Sequence, residues 1–220
     1  MELKELMKYA FTGELPGLRA HMRMAPPHRF PDGAVTSAVG ARNSSVMVLL
    51  YFKEGRLHIP LIQRPLYNGA HSGQVSFPGG KWEPSDQNAW DAALRETFEE
   101  TGIAGNVERI GQLSPLYIPH SNFMVYPFVG IYNGQPAFDP DPFEVEQLME
   151  VPVDEFFSAD NLADFFYQKD DFELVAPSYR IGGRSVWGAT AMILSEFVEL
   201  IEPFVKNRFL PGQWQIQQGA

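Results

Sequence analysis

GGKWEPSDQNAWDAALRETFEETGI, residues 79–103, packs its acidic side chains more closely than folding alone requires. Gly79-Gly80 and Pro84 are turn formers, Ser85 or Asp86 offers a cap, and the spacing predicts a helix running to Thr101 with Gly102 as its stop. Trp90, Leu94, Phe98 and Thr101 follow one another at intervals of four, four and three, so they are expected to face inward. Glu96, Glu99 and Glu100 then gather on the opposite side within about one turn. Like charges four apart on a helix repel by roughly 0.2–0.5 kcal/mol per pair.

Two readings of that cluster stand side by side. One is a solvated acidic face in which Asp91–Arg95 and Arg95–Glu99 are ordinary i,i+4 pairs. The other is a cation site that relieves the repulsion. With no cysteine and 5 histidines in the chain, hard carboxylate oxygens point to Mg²⁺ or Mn²⁺ rather than a soft metal.

The wider pattern resembles the box of the Nudix hydrolases: Gly, five residues, Glu, seven residues, Arg-Glu, an aliphatic, any residue, Glu-Glu, any residue, Gly, an aliphatic. Gly80, Arg95, Glu96, Glu99, Glu100, Gly102 and Ile103 occupy their places. Asp86 stands where the first Glu belongs, with eight residues between it and Arg95, and Thr97 replaces the usual aliphatic. The resemblance implies an α/β fold, an α/β/α sandwich around a mixed β-sheet with the box as loop–helix–loop. It also implies that Glu96, Glu99 and Glu100, with the Gly80 carbonyl, hold Mg²⁺ or Mn²⁺, while Arg95 braces the glutamates. Glu96, Glu99 and Glu100 are thus candidate catalytic residues. Glu144 is the candidate general base from another loop, with Glu146 behind it.

Composition is that of an ordinary soluble globular protein: 220 residues, 45% hydrophobic, net charge −10. So acidic a chain argues against a broad nucleic-acid surface, and a polyanionic substrate needs a cation to approach it. No run approaches 18 apolar residues and Glu2 and Glu5 lie near the start, so neither a membrane span nor a signal peptide is expected and the cytoplasm is the default location. Whether the chain forms a homodimer is left open.

Residues 1–43 read as an extension with a short helix near Leu3–Phe11, and Arg19, Arg23, His28 and Arg29 make it the most basic part. It is either a strap over the core or a contributor to an anion pocket. The main domain is expected over 44–207 and a polar tail over 208–220. Ser45–Phe52 and Leu57–Gln63 form a hairpin about Glu54-Gly55, and residues 64–78 form a loop that leads into the box. Val107–Leu113, Phe123–Tyr132 and Glu144–Pro152 read as strands, Asp154–Phe157 and Asn161–Phe166 as helical turns. Tyr179–Ile181 and Arg184–Trp187 flank Gly182-Gly183 as a hairpin, and Ala189–Lys206 as a packing helix.

Upstream of the box the sequence is similar to the coenzyme A diphosphatases within the same family. Their signature is two leucines, an Arg, a second Arg five positions later, a Gly four beyond, then Phe-Pro-Gly-Gly. Leu61, Arg64, Gly73 and Phe77-Pro78-Gly79-Gly80 match, Ile62 replaces a leucine, and Gly69 stands at the second Arg position. Pro127-Phe128-Val129-Gly130, Glu150-Val151-Pro152 and Val186-Trp187-Gly188-Ala189-Thr190-Ala191 extend the likeness over roughly residues 45–205. It implies hydrolysis of coenzyme A or an acyl derivative, with Arg64, Gly73, Phe77 and Gly79 contacting a small nucleotide-derived substrate. Gly69 lacks the charged contact an Arg would give a 3′-phosphate, which keeps two alternatives: another diphosphate substrate such as an ADP-sugar, dinucleotide or nucleoside triphosphate, or a regulator that binds without hydrolysis.

Overall fold

The strand Arg42–Lys53 (β1) sets the layering, because its alternate residues face two different cores. Val48 and Leu50 join the main cluster, and Met47 and Leu49 join a second one with Ala93, Ile103 and Phe128. The computed structural model describes residues 3–27, 29, 38–66, 72–169 and 172–205. Gly69, His28, Lys206 and the expected tail 208–220 lie outside the described residues.

β1 turns at Glu54 and Gly55, both at positive φ, into Arg56–Gln63 (β2). Val75–Ser76 (β3) and Gly79–Lys81 (β4) follow, then the helix Ala89–Thr101. Val107–Gln112 (β5), Leu116–Ile118 (β6), Phe123–Tyr132 (β7) and Gln147–Pro152 (β8) complete the first sheet. Among the described residues this sheet has 8 strands with the path β3-β2-β1-β7-β5, β4 beside β1, β6 beside β7 and β8 beside β2. β1 and β7 run parallel from Arg42↔Phe123 to Leu50↔Ile131, while their other neighbours are antiparallel. The expected mixed sheet between helical layers is present.

Leu162–Lys169 (β9), Phe172–Ile181 (β10) and Arg184–Trp187 (β11) form a second, 3-stranded sheet, and Gly188–Val205 is a helix. That helix packs against the main core through Ala191, Leu194, Phe197 and Ile201. Before β1, the helices Leu3–Ala10 (α1) and Gly17–Arg23 (α2) lie on the same layer, adding Met7, Ala10 and Met24 to the core. We number Ala89–Thr101 as α3 and Gly188–Val205 as α4. Among the described residues no helix is long and apolar enough to cross a membrane.

Several expectations are corrected. Asn161–Phe166 is not a helical turn: from Leu162 it is strand, paired with β10 from Leu162↔Tyr179 to Phe172↔Lys169. Gly79-Gly80 is a strand segment rather than a turn, in register with Val46 and Ser45 of β1. β10 begins at Phe172, seven residues before the expected Tyr179, and β8 begins at Gln147, leaving Glu144 in the turn before it. The unforeseen α2 starts directly after Pro16, a position where a helix needs no amide donor.

Candidate active site

Helix α3 does not start at Ser85 or Asp86 as expected; Asn88 caps it, its Oδ1 accepting the Trp90 amide at 2.9 Å and the Asp91 amide at 3.2 Å. Gly102, at φ 75, ends it by donating to the Phe98 carbonyl at 2.8 Å. Of the expected inward face, Trp90 and Leu94 pack on the second core and Thr101 is buried, and Phe98 alone differs. Phe98 is 52% exposed, whereas Ala93, Thr97, Glu100 and Thr101 are buried. Thr97 and Thr101 tolerate that burial because each hydroxyl donates 2.6 Å to a carbonyl one turn back, on Ala93 and Thr97. Seven residues after Ala93 on the same face, Glu100 is carried into the interior at 2% exposure.

There it closes a triangle. The Gly79 amide donates to Glu100 Oε2 at 2.8 Å, Arg64 Nη2 approaches Glu100 Oε1 at 3.3 Å, and the same Nη2 donates to the Gly79 carbonyl at 3.1 Å. Gly79 must be glycine, since a Cβ would overlap the Ser45 carbonyl and the Val46 backbone of β1. Glu96, one turn earlier, lies against Gly80, where any Cβ would overlap its carboxylate. Arg95 fixes the remainder: Nε donates to Asp86 Oδ1 at 3.0 Å, Nη1 to Glu96 Oε1 and Glu99 Oε2 at 2.9 Å each, and Nη2 to the Lys81 carbonyl at 2.9 Å. Asp86 is thus the partner of Arg95, which holds its carboxyl below the usual range. Asp91 bonds Asn88 instead of Arg95.

Arg64, Pro65, Gly80, Lys81, Glu96, Glu100, Phe143 and Glu144 line one cleft of about 430 Å³. Of the residues expected at the site, Arg64, Gly80, Glu96, Glu100 and Glu144 meet there. Glu99 does not; its side chain is 45% exposed and turned to Arg95. Phe77 is buried at 1% in the main core, so it supports β3–β4 rather than lining the cleft. Gly73, at φ 67, lies under Leu66, and its amide donates to the Pro65 carbonyl at 3.2 Å, closing the neck of the loop beside Arg64. Glu146 bonds the Gln63 carbonyl through its amide and stays off the cleft. Arg19 and Arg23 pair with Glu199 of α4, and Arg29 donates to the Tyr117 carbonyl, so these cations serve the strap rather than an anion pocket. Lys81 and Phe143 were not singled out in the sequence: a lone Lys and a loop Phe carry no spacing signal, and the pairing of β4 with β1 puts Lys81 at the rim.

Burial pushes the Glu100 carboxyl up to about 8; Glu96 and Glu144 add to the rise, and Arg64 and the Gly79 amide oppose it. Glu96 is raised as well, chiefly by burial, with Arg95 opposing and Glu99 and Glu144 adding. Among the described residues no three carboxylate or imidazole groups stand together as a ready-made metal site. The donors nevertheless fit a hard divalent cation: two shielded carboxylates on one wall, Glu144 acting on both electrostatically, and a glycine cradle that leaves room for Glu96.

The family model for the NUDIX domain matches residues 41–171. The human protein named mitochondrial coenzyme A diphosphatase NUDT8 is 35% identical over 147 residues, 66% of this chain and 62% of its own length. Nudix hydrolase 3 of Caenorhabditis elegans is 29% identical over 81% of this chain and 79% of its own. Among solved structures, the Nudix hydrolase RenU of M. smegmatis superposes with a TM-score of 0.53 at 14% identity, over 83% of this chain and 95% of that one, a likeness of fold. With well over half its length under the family model and the box built into α3 and β4, this chain belongs to the Nudix family.

Proposed function

We propose that the protein hydrolyses the diphosphate of a nucleoside diphosphate derivative, with coenzyme A or acyl-coenzyme A as substrate and phosphopantetheine and adenosine 3′,5′-bisphosphate as products. The observation that carries this reading is the cleft itself, where half-buried Glu96 and buried Glu100 share a wall with Arg64 and Lys81. Carboxylates alone repel a diphosphate, and cations alone do not activate water; the pairing suits phosphoryl chemistry. The choice of coenzyme A is supported by the upstream signature around Arg64 and by the 35% identity to a protein named for that activity.

Glu96, Glu100 and the Gly80 carbonyl would hold Mg²⁺ or Mn²⁺, supplying charge neutralisation and a more acidic water. Glu99, which stays off the cleft, would join them by turning toward it. Arg64 and Lys81 bind and orient the diphosphate oxygens, and Arg64 does so from a fixed place because the Gly79 carbonyl already holds it. Glu144, which lines the cleft from the turn before β8, takes a proton from the attacking water in this reading.

A second reading keeps the reaction but changes the substrate, because Gly69 stands where the signature has a second Arg. Incubation of the protein with coenzyme A, its dephospho form, an ADP-sugar, a dinucleotide and a nucleoside triphosphate, each with Mg²⁺ or Mn²⁺, and chromatography of the products decides between them. Preferential cleavage of coenzyme A is expected; equal or faster cleavage of the dephospho form would favour the second reading, and no cleavage of any would refute both.

A further inference from the structure

Phe143 is 90% exposed and lines the same cleft as Glu96 and Glu100. A single exposed apolar side chain is ordinary; this one is held in place. Its amide donates to Asp141 Oδ1 at 2.8 Å, and the Asp141 carbonyl accepts the amides of Glu144 and Val145 at 3.1 and 2.8 Å. Val145 is buried at 4%, and the Glu146 amide ties the turn to Gln63 of β2 at 2.9 Å. Pro140 and Pro142 stiffen the approach. The ring is therefore presented by a pinned turn rather than a loose tip. Pro65, next to Arg64, gives the same cleft a second apolar surface, so uncharged lining adjoins the charged lining.

The charged groups of the cleft match the charged middle of a diphosphate ester. Beyond that middle coenzyme A bears one further charge, its 3′-phosphate, and the rest, the nucleobase and the thiol-bearing arm, is uncharged and meets whatever apolar surface the cleft offers. We infer that Phe143, with Pro65, is the wall that grips the uncharged part of the substrate beside the diphosphate and so sets substrate preference. The inference rests on the diphosphatase reading. An apolar surface laid on a phenyl ring can come from the face of the nucleobase or from the aliphatic thiol-bearing arm, and the two sources separate experimentally.

Phe143→Ala and Phe143→Leu are compared with the wild type on coenzyme A with Mg²⁺. Losing the wall raises KM roughly tenfold to a hundredfold while kcat changes little, as expected for a contact equal in ground and transition states. The melting temperature stays the same, since the ring is exposed. If Phe143→Leu restores KM, the aliphatic arm is the ligand; if it behaves as Phe143→Ala, the base face is, because stacking needs a ring. An unchanged KM in Phe143→Ala overturns the wall, and so does a fall in kcat at constant KM, which would mark a displaced Glu144 instead. Should the wild type cleave no diphosphate, the reading of the reaction fails separately. The wall is then judged by calorimetric binding of adenosine 3′,5′-bisphosphate and of phosphopantetheine: weaker binding of either by Phe143→Ala sustains it, and equal binding of both refutes it.

Discussion

At Glu100 helix geometry and side-chain chemistry oppose one another. Its place on the face of Ala93 and Thr97 buries it, while ionisation asks for water, and the compromise is a carboxyl pushed up to about 8 from the ordinary 4.5. A folded-state value raised above the unfolded one means that the native state holds the proton more tightly. Without metal, stability contributed by the protonated group is therefore full at acid pH and is lost as pH rises from about 4.5 to about 8. Glu100→Gln has no such proton to lose. In chelator, its melting temperature relative to wild type should climb across that window, by an amount equivalent to a few kcal/mol at most. Hydrolysis by the variant should fall by orders of magnitude. Parallel melting profiles for the two proteins would show that Glu100 is not strained in this way, and full activity would remove it from the site.

At the scale of the element, α3 is seated by Ala89, Trp90, Ala93 and Leu94 against the second core and is oriented by Arg95 and by its own caps. The planar fork of Arg95 joins Asp86, Glu96, Glu99 and the Lys81 carbonyl at once, which an ammonium cannot do. Arg95→Lys should keep the fold and lower kcat roughly tenfold to a hundredfold through a looser Glu96, as losses of supporting contacts around a site commonly do. Circular dichroism and steady-state rates measure both, and wild-type kcat would show the fork to be dispensable. The glutamate cluster was legible in the sequence because the box spacing fixes it, but the direction of each carboxylate was not. Apolar periodicity put Phe98 inside and Glu100 outside; in the fold the two exchange, because the wall under α3 is β1 and β4 with glycines at the contact, which admits small residues and a carboxylate bonded to the Gly79 amide. The strand at Leu162–Lys169 was missed for a related reason. Leu162, Phe166 and Tyr167 are partly solvent-exposed, so the run gave no clean alternation, and only pairing with β10 defines it.

Across the whole molecule, one fully buried carboxylate joins α2 to the back of the sheet, beside the Arg19 and Arg23 pairs with Glu199. Glu196 of α4, 0% exposed, accepts the Gly17 amide at 3.1 Å, the Ser114 amide at 3.1 Å and His21 Nε2 at 2.7 Å, joining α2, the entry to β6 and α4. Burial alone would push its carboxyl up, but His21 and Ser114 together hold it below the usual range. The stability it contributes is thus present above the ordinary carboxylate value of 4.5 and is lost as pH falls through the lower folded value. No sequence pattern marks this residue, since its donors come from segments 82, 175 and 179 residues away. Glu196→Ala strands buried His21 and the part-buried Gly17 and Ser114 amides at once, and breaking such a set costs about 3–5 kcal/mol. The expected result is a large fall in melting temperature with faster hydrogen exchange at the Gly17 and Ser114 amides. Below the new melting point the rate on the proposed substrate, coenzyme A, should stay near wild type, because the cleft lies under α3 on the other face of β1. A loss of stability under about 1 kcal/mol would mean the helices are held by their apolar contacts instead, through Met7, Ala10 and Met24.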